Sequence, residues 1–308
     1  MRSHASNVDR LRTRLERVRA DARRIGEDQS AFGLVCGWVL TGLGDRYVRH
    51  DQLMAYIEES LALVVRGLRR VAAGEERLGD WLGLARGDAP VAYDRPQSMS
   101  HVVDHLLELV ERREWVEPEL ELAPVAEFVA PVEDDFGALR VGGLRWAMAY
   151  AEPVRQMLDD LSGTPEIAAG QATRWTAMAG DLNAIAADLR RCLDRDFAAP
   201  AGPDVRAYLD LMSNNVEALK GVAATATAMA LVTRSAADLI LLTRDIVRGL
   251  IGTLLARVIV WTADTSAVVT RDVMAARLAT VVATTRRIHA YITALVASVA
   301  NLSEYVDD

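Results

Sequence analysis

Residues 165–196 read PEIAAGQATRWTAMAGDLNAIAADLRRCLDRD. Ala168, Ala172, Trp175, Met178, Leu182, Ile185, Leu189 and Cys192 recur there at steps of three or four. That near-heptad seam belongs to a long helix laying one side against a neighbour. Pro165 suits the first helical position, where its missing N–H is not needed, and Thr164 before it suits the N-cap. Pro200-Ala-Gly-Pro203 then makes a tight turn. A return helix follows, bearing Val205, Leu209, Met212, Val216, Leu219, Ala223 and Ala226. Two matched seams joined by a short turn predict antiparallel neighbours over 165–197 and 203–233, with Trp175 buried against the return helix.

The rest of the chain extends this pattern. Downstream, two segments over about 235–264 and 272–304 are apolar on more than one face, which suits burial in a bundle or against another chain. Upstream, Gly143–Leu161 reads as a helix that Pro153 can kink. At the N-terminus, Val8, Leu11, Leu15, Val18 and Ala22 stripe a helix over 4–26. The glycines of 30–45, Gly37, Gly42 and Gly44 among them, break the period and read as a loop. Asp51 suits the N-cap of a second helix with the stripe Ile57, Leu61, Val64, Leu68 and Val71, ending near Gly74. Residues 84–98 read as linker and 99–113 as one short helix. Pro118, Pro124 and Pro131 predict irregular chain over 114–136. The fold expected is all-α: a long antiparallel helical bundle (137–308) and an N-terminal helical hairpin (1–83), joined by an acidic connector (84–136).

Composition agrees. Half of the 308 residues are apolar, and prolines number only nine. The apolar residues are mostly Ala, Val and Leu, of which Ala and Leu are the strongest helix formers. The net charge of −8 argues against general nucleic-acid binding. Lys220 is the sole lysine, the mark of an arginine-rich, high-GC coding bias. The N-terminus lacks the apolar core of a cleavable signal peptide. No charge-free apolar run reaches the ~18 residues of a membrane span, so membrane insertion is not expected. Cys36 and Cys192 stand far apart and read as small core residues.

Motifs that carry chemistry are scarce. His101 and His105 stand four apart on one helical face, a chelating spacing, but Val102 replaces the glutamate of a zinc-protease motif and no third ligand is evident. No phosphate loop, dinucleotide fingerprint or nucleophile elbow occurs. Asp134 and Asp135 read as solvated connector. The expectation is a non-enzymatic protein without cofactor, metal or catalytic residues.

The order of elements over about 140–308 resembles the N-terminal helical domain of WXG-superfamily substrates and toxins of type VII (ESX) secretion. The carriers are MLDDLSGTP (157–165), Ala172-Thr-Arg-Trp175, LNAIAADL (182–189), DFAAPAGPDVRAY (196–208), IVRGLIG (246–252) and VIVW (258–261). The family's inter-helix turn reads Trp-x-Gly; here Phe197 stands in the tryptophan's place, while Gly202 and Tyr208 match. Residues 1–90 resemble small EspC-like proteins through the first helix, Phe32-Gly-Leu-Val-Cys36 and Leu68–Ala73. The family's export signal, Tyr-x-x-x-Asp/Glu, matches at Tyr47 and Asp51, before a helix rather than after the hairpin. Trp81-Leu-Gly83 also fits Trp-x-Gly, but after the second helix rather than between paired ones.

The resemblance implies a substrate or partner protein of an actinobacterial type VII pathway. It would be cytoplasmic before export and then secreted or held at the cell surface. Its expected partners are a small helical hairpin protein or a second copy, together with the secretion machinery. Trp175, Phe197, Gly202, Tyr208 and Trp261 are then the interaction or structural candidates. The competing reading is a cytoplasmic helical adaptor or chaperone unrelated to export.

Overall fold

The described residues include the helices α1 (Arg2–Glu27), α2 (Val39–Ala73), α3 (Leu78–Asp88), α4 (Pro118–Glu121), α5 (Pro165–Asp196), α6 (Pro203–Ala263) and α7 (Arg271–Asp307), of which α3 and α4 were not expected. They come from a computed structural model describing residues 1–27, 39–88, 108–121, 165–198, 202–263 and 270–307. Among the described residues there is no strand, so the fold is all-α. The expected helix 143–161, Thr164 and Gly37 lie outside the described residues.

The helix ends follow their chemistry. Pro165 and Pro203 each open a helix. The Gly202 carbonyl accepts from the Val205 and Arg206 amides, so Gly202 caps α6. Gly74, at φ 78°, ends α2: its N–H donates to the Val71 carbonyl and that of Glu75 to Arg70. That pair of bonds is a Schellman stop, which needs the left-handed conformation glycine adopts at little cost.

Two expectations about helix extent are corrected. The helices expected over 203–233 and 235–264 are one helix of 61 residues. No glycine or proline interrupts Thr233–Leu242, and an apolar pattern that changes face is not a break. The second correction concerns α2, which starts at Val39 rather than at Asp51. Gly42 and Gly44 lie inside it, because a glycine weakens a helix by only about 1 kcal/mol and does not end it. Asp51 is therefore mid-helix, and its carboxylate binds arginines rather than an N-terminus.

The chain divides into two compact units that are not consecutive in sequence. The first comprises Met1–Asp28, Gly42–Glu111 and Gly170–Thr233; the second comprises Gln29–Thr41, Arg112–Ala169 and Arg234–Asp308. This division crosses the boundaries expected at 83 and 137, because the N-terminal hairpin and the Trp175 helix share one core.

In the first unit, α1 buries Ala5, Val8, Leu11, Leu15, Val18, Ala22 and Ile25. From α2 come Met54, Ile57, Leu61, Val64, Val65 and Leu68. The α5 seam is buried from Ala172 to Cys192 as expected, and Ala168, in the second unit, is buried as well. On α6 the seam is shifted: Tyr208, Met212, Val216, Leu219 and Val222 are buried, whereas Val205 and Leu209 are only half-buried. Arg14 pairs with Asp188 at 2.5 Å; Arg19 pairs with Asp51 at 2.8 Å and Glu58 at 3.0 Å; Arg69 pairs with Asp9 at 2.7 Å. Partner numbers fall on α2 as they rise on α1, the order of oppositely directed helices. Partly exposed pairs of this kind contribute about 0–1 kcal/mol each, so they fix register while the apolar seams supply stability.

Trp81 of α3 is buried on α2 over Gly67, where a methyl group would overlap the indole. The Asp204 carboxylate lies against Gly79 in the first turn of α3, 2.8 Å from where a Cβ would stand. A carboxylate there complements the positive end of the helix.

Residues 108–112 are helical, in keeping with the short helix expected over 99–113. In the second unit the connector is corrected: Pro118 opens α4 instead of breaking the chain. Trp115, Val116 and Leu120 are buried. The Glu117 backbone N–H donates to Ser298 Oγ of α7 at 2.8 Å, and Asn301 Nδ2 donates to Glu117 Oε1 at 3.2 Å. The acidic stretch expected to be irregular, solvated chain over 114–136 thus carries in Trp115, Val116 and Leu120 enough apolar area to dock.

Candidate functional site

The densest polar constellation lies where the start of α1 meets the end of α5 and the start of α6. His4 opens the α1 seam: 4, 8, 11, 15, 18 and 22 follow one heptad spacing. Its ring is buried, and Nδ1 lies 2.7 Å from Asp196 Oδ2 while Nε2 lies 2.7 Å from the Tyr208 hydroxyl. Cys192 Sγ is 3.3 Å from both His4 Nδ1 and Asp196 Oδ2. Arg195 Nε donates to the other carboxylate oxygen at 2.9 Å. Phe197 meets the imidazole edge-on, with ring centres 4.9 Å apart, and lies 5.3 Å from the Tyr208 ring.

Burial and charge set the protonation states. Burial lowers the His4 pKa, and the Asp196 contacts only partly oppose it. The Asp196 carboxyl is held well below its usual range, first by the Arg195 hydrogen bond and then by those from His4 and Cys192. Burial pushes the Cys192 thiol up to about 11, and the neighbouring carboxylate adds to it. Burial likewise raises the Tyr208 phenol far above its ordinary value. At neutral pH the state is neutral imidazole, thiol and carboxylate. His4 Nδ1–H donates to Asp196, and the Tyr208 hydroxyl donates to Nε2.

This is not the arrangement of a thiol–imidazole relay. A relay needs the nucleophile on one ring nitrogen and the orienting acid on the other. Here Cys192 and Asp196 both face Nδ1, and a thiol with a raised pKa carries little thiolate. Among the described residues, His4, Cys192 and Asp196 are the group whose donor atoms converge as metal ligands would.

A second buried cluster centres on Trp175, only 1% exposed. Tyr47 stacks on it, with centres 5.2 Å apart and planes 10° apart; His50 meets it edge-on, also at 5.2 Å. Burial as expected is borne out, and the aromatic partners belong to α2. His50 Nε2–H donates to the Val222 carbonyl at 3.2 Å, leaving Nδ1 buried without a partner. Burial drives the His50 pKa down to about 4.

The sequence-based candidates thus separate. Phe197 and Tyr208 come together around His4. Gly202 caps α6. Tyr47 faces Trp175, while Asp51, one turn on, is held by Arg19 and Arg23. Trp261 lies under the Arg277 guanidinium, 5.7 Å from the ring centre. His101, His105, Asp134, Asp135 and Cys36 lie outside the described residues.

Sequence reasoning missed His4 and Asp196 and treated Cys192 as core alone. The available signal was a titratable residue on an apolar seam: His4 in step with Val8, and Asp196 one turn after Cys192.

The chain matches no protein-family model, no curated protein and no solved structure.

Proposed function

We propose that the protein is a non-enzymatic helical substrate or partner in a type VII secretion pathway, acting by helix-on-helix contact. What carries the contact mode is an apolar surface in the second unit. On α7, Met274, Leu278 and Val282 stand one turn apart and are 38–42% exposed. On α6, Ile259 and Val260 are 53% and 65% exposed. Apolar side chains at steps of four present a stripe that an amphipathic helix can cover.

Between 271 and 287 the charged residues are Arg271, Asp272, Arg277, Arg286 and Arg287, four basic against one acidic. The occupant fitting such a rim is a helical hairpin with an apolar seam and acidic flanks. Among the described residues no helix is long and apolar enough to cross a membrane. The export assignment is supported by the ordered sequence elements that resemble the WXG superfamily.

The test is co-expression with small helical hairpin proteins of the native cell, followed by light scattering of the purified species. A stable complex lost in Leu278→Glu, with helix content unchanged, is the expected outcome. A clean monomer that captures no hairpin and binds no apolar dye overturns the reading. Appearance of the chain outside the cell only when the secretion ATPase is intact separates export from an adaptor role confined to the cytoplasm.

A further inference from the structure

We propose that His4, Cys192 and Asp196 form a binding site for a divalent cation of the zinc class. An imidazole nitrogen, a thiolate and one carboxylate oxygen make a mixed N, S, O set that suits zinc and disfavours magnesium or calcium.

The three donors are already gathered. His4 Nδ1 and Asp196 Oδ2 are 2.7 Å apart, and Cys192 Sγ is 3.3 Å from each. Tetrahedral zinc, with bonds of about 2.0–2.3 Å, sets its donors about 3.3–3.6 Å apart. The thiol distances already fall within about 0.3 Å of that spacing, and the His4–Asp196 pair must open by about 0.6 Å, within the reach of side-chain rotation. Cys192 and Asp196 occupy i and i+4 on α5, the spacing that puts two ligands on one helical face. His4 comes from α1, so the ion would link the two helices.

The surroundings match those of metal sites. Tyr208 holds His4 Nε2 at 2.7 Å, fixing the ring as an outer-shell partner does, and Arg195 holds the second Asp196 oxygen at 2.9 Å. His4 and Cys192 are buried while Asp196 reaches the surface, which gives the ion an entrance and leaves a fourth position for water.

The proton balance is definite. Cys192 loses its thiol proton to solvent. The imidazole proton moves from Nδ1 to Nε2, which then donates to the Tyr208 hydroxyl oxygen. Net release is one proton per ion, so affinity rises with pH, up to tenfold per unit.

The experiment titrates cobalt(II) into the tag-free full chain and follows the thiolate-to-cobalt charge-transfer absorption, with zinc as competitor. Proton release is measured by calorimetry in two buffers. The expected result is one ion, one proton, and a band displaced by zinc. The band should persist in Cys36→Ala and vanish in Cys192→Ala. Asp196→Asn should weaken binding at least tenfold. Tyr208→Phe should keep the band and weaken affinity about 10–100-fold, the usual effect of losing an outer-shell partner. Far-UV circular dichroism establishes that each variant is folded. No cobalt–thiolate band in the wild type, or a band that survives Cys192→Ala, overturns the proposal.

Discussion

Acidification from pH 6.5 to 4 should destabilise the first unit through His50. The imidazole is 1% exposed, its Nε2–H is committed to the Val222 carbonyl, and Nδ1 is buried without a partner. A second proton would sit on that nitrogen with no acceptor, so burial drives the folded pKa from 6.5 down to about 4. The sign follows from proton counts. Between pH 4 and 6.5 the unfolded chain binds a proton that the folded chain does not, so stability falls as pH falls. Above 6.5 both states are neutral and the effect is absent; below 4 both are protonated and it is complete. At 1.36 kcal/mol per unit, a displacement from 6.5 to about 4 is worth about 3 kcal/mol. With an m-value of about 3 kcal/mol/M, the urea midpoint moves by about 1 M.

Other groups shape the same curve, so the informative quantity is a difference. Asp51 and Asp196, held low by arginine hydrogen bonds, withdraw their stabilisation only below about pH 4. His4, also lowered by burial, contributes in the same window with the same sign. All three are common to wild type and His50→Leu. Urea unfolding of both proteins, followed by circular dichroism from pH 7 to 4.5, should show wild type losing more stability than the variant. A wild-type–variant difference that stays constant over this range would refute the reasoning.

Two further predictions concern packing. Trp175→Ala should cost about 3–5 kcal/mol, whereas Trp175→Phe should cost under half of that, because phenylalanine keeps the Tyr47 stack and removes an indole N–H buried without a partner; denaturant midpoints decide, and equal costs would contradict the stacked geometry. Gly67→Val should lower stability by about 1–3 kcal/mol, since any Cβ there meets the Trp81 ring, and Gly67→Val combined with Trp81→Ala should cost less than the sum of the two single changes.

The helices were legible wherever seam and punctuation agreed. In α5, Pro165 and eight apolar residues at heptad steps point to one structure, and that structure forms. Where one signal spoke alone it misled. Glycines at 42 and 44 suggested a loop, yet two glycines are a modest penalty against a helix of 35 residues. Three prolines and many carboxylates suggested solvated chain around 118. Proline at a first helical position is favourable, however, the local hydrophobes Trp115, Val116 and Leu120 are buried, and α4 packs on α7. Whether such a stretch docks depends on a partner about 180 residues away, which local composition does not contain.

The His4 and His50 clusters were hidden for the same reason, and they share a sequence feature. His4 precedes Val8, Leu11, Leu15, Val18 and Ala22 in steps of four, three, four, three and four. His50 precedes Met54, Ile57, Leu61, Val64 and Leu68 in the same steps. Each histidine therefore occupies a core position of its helix's own seam. A histidine there stays neutral, as both do, and its ring nitrogens seek polar partners across the core, which His4 finds in Asp196 and Tyr208 and His50 in the Val222 carbonyl alone. Reading the seams by hydrophobicity alone starts them at Val8 and Ile57 and so drops the positions where chemistry is concentrated. Extending each seam by period, whatever residue it meets, recovers His4, His50 and Asp196 together, because Asp196 is likewise four residues beyond Cys192.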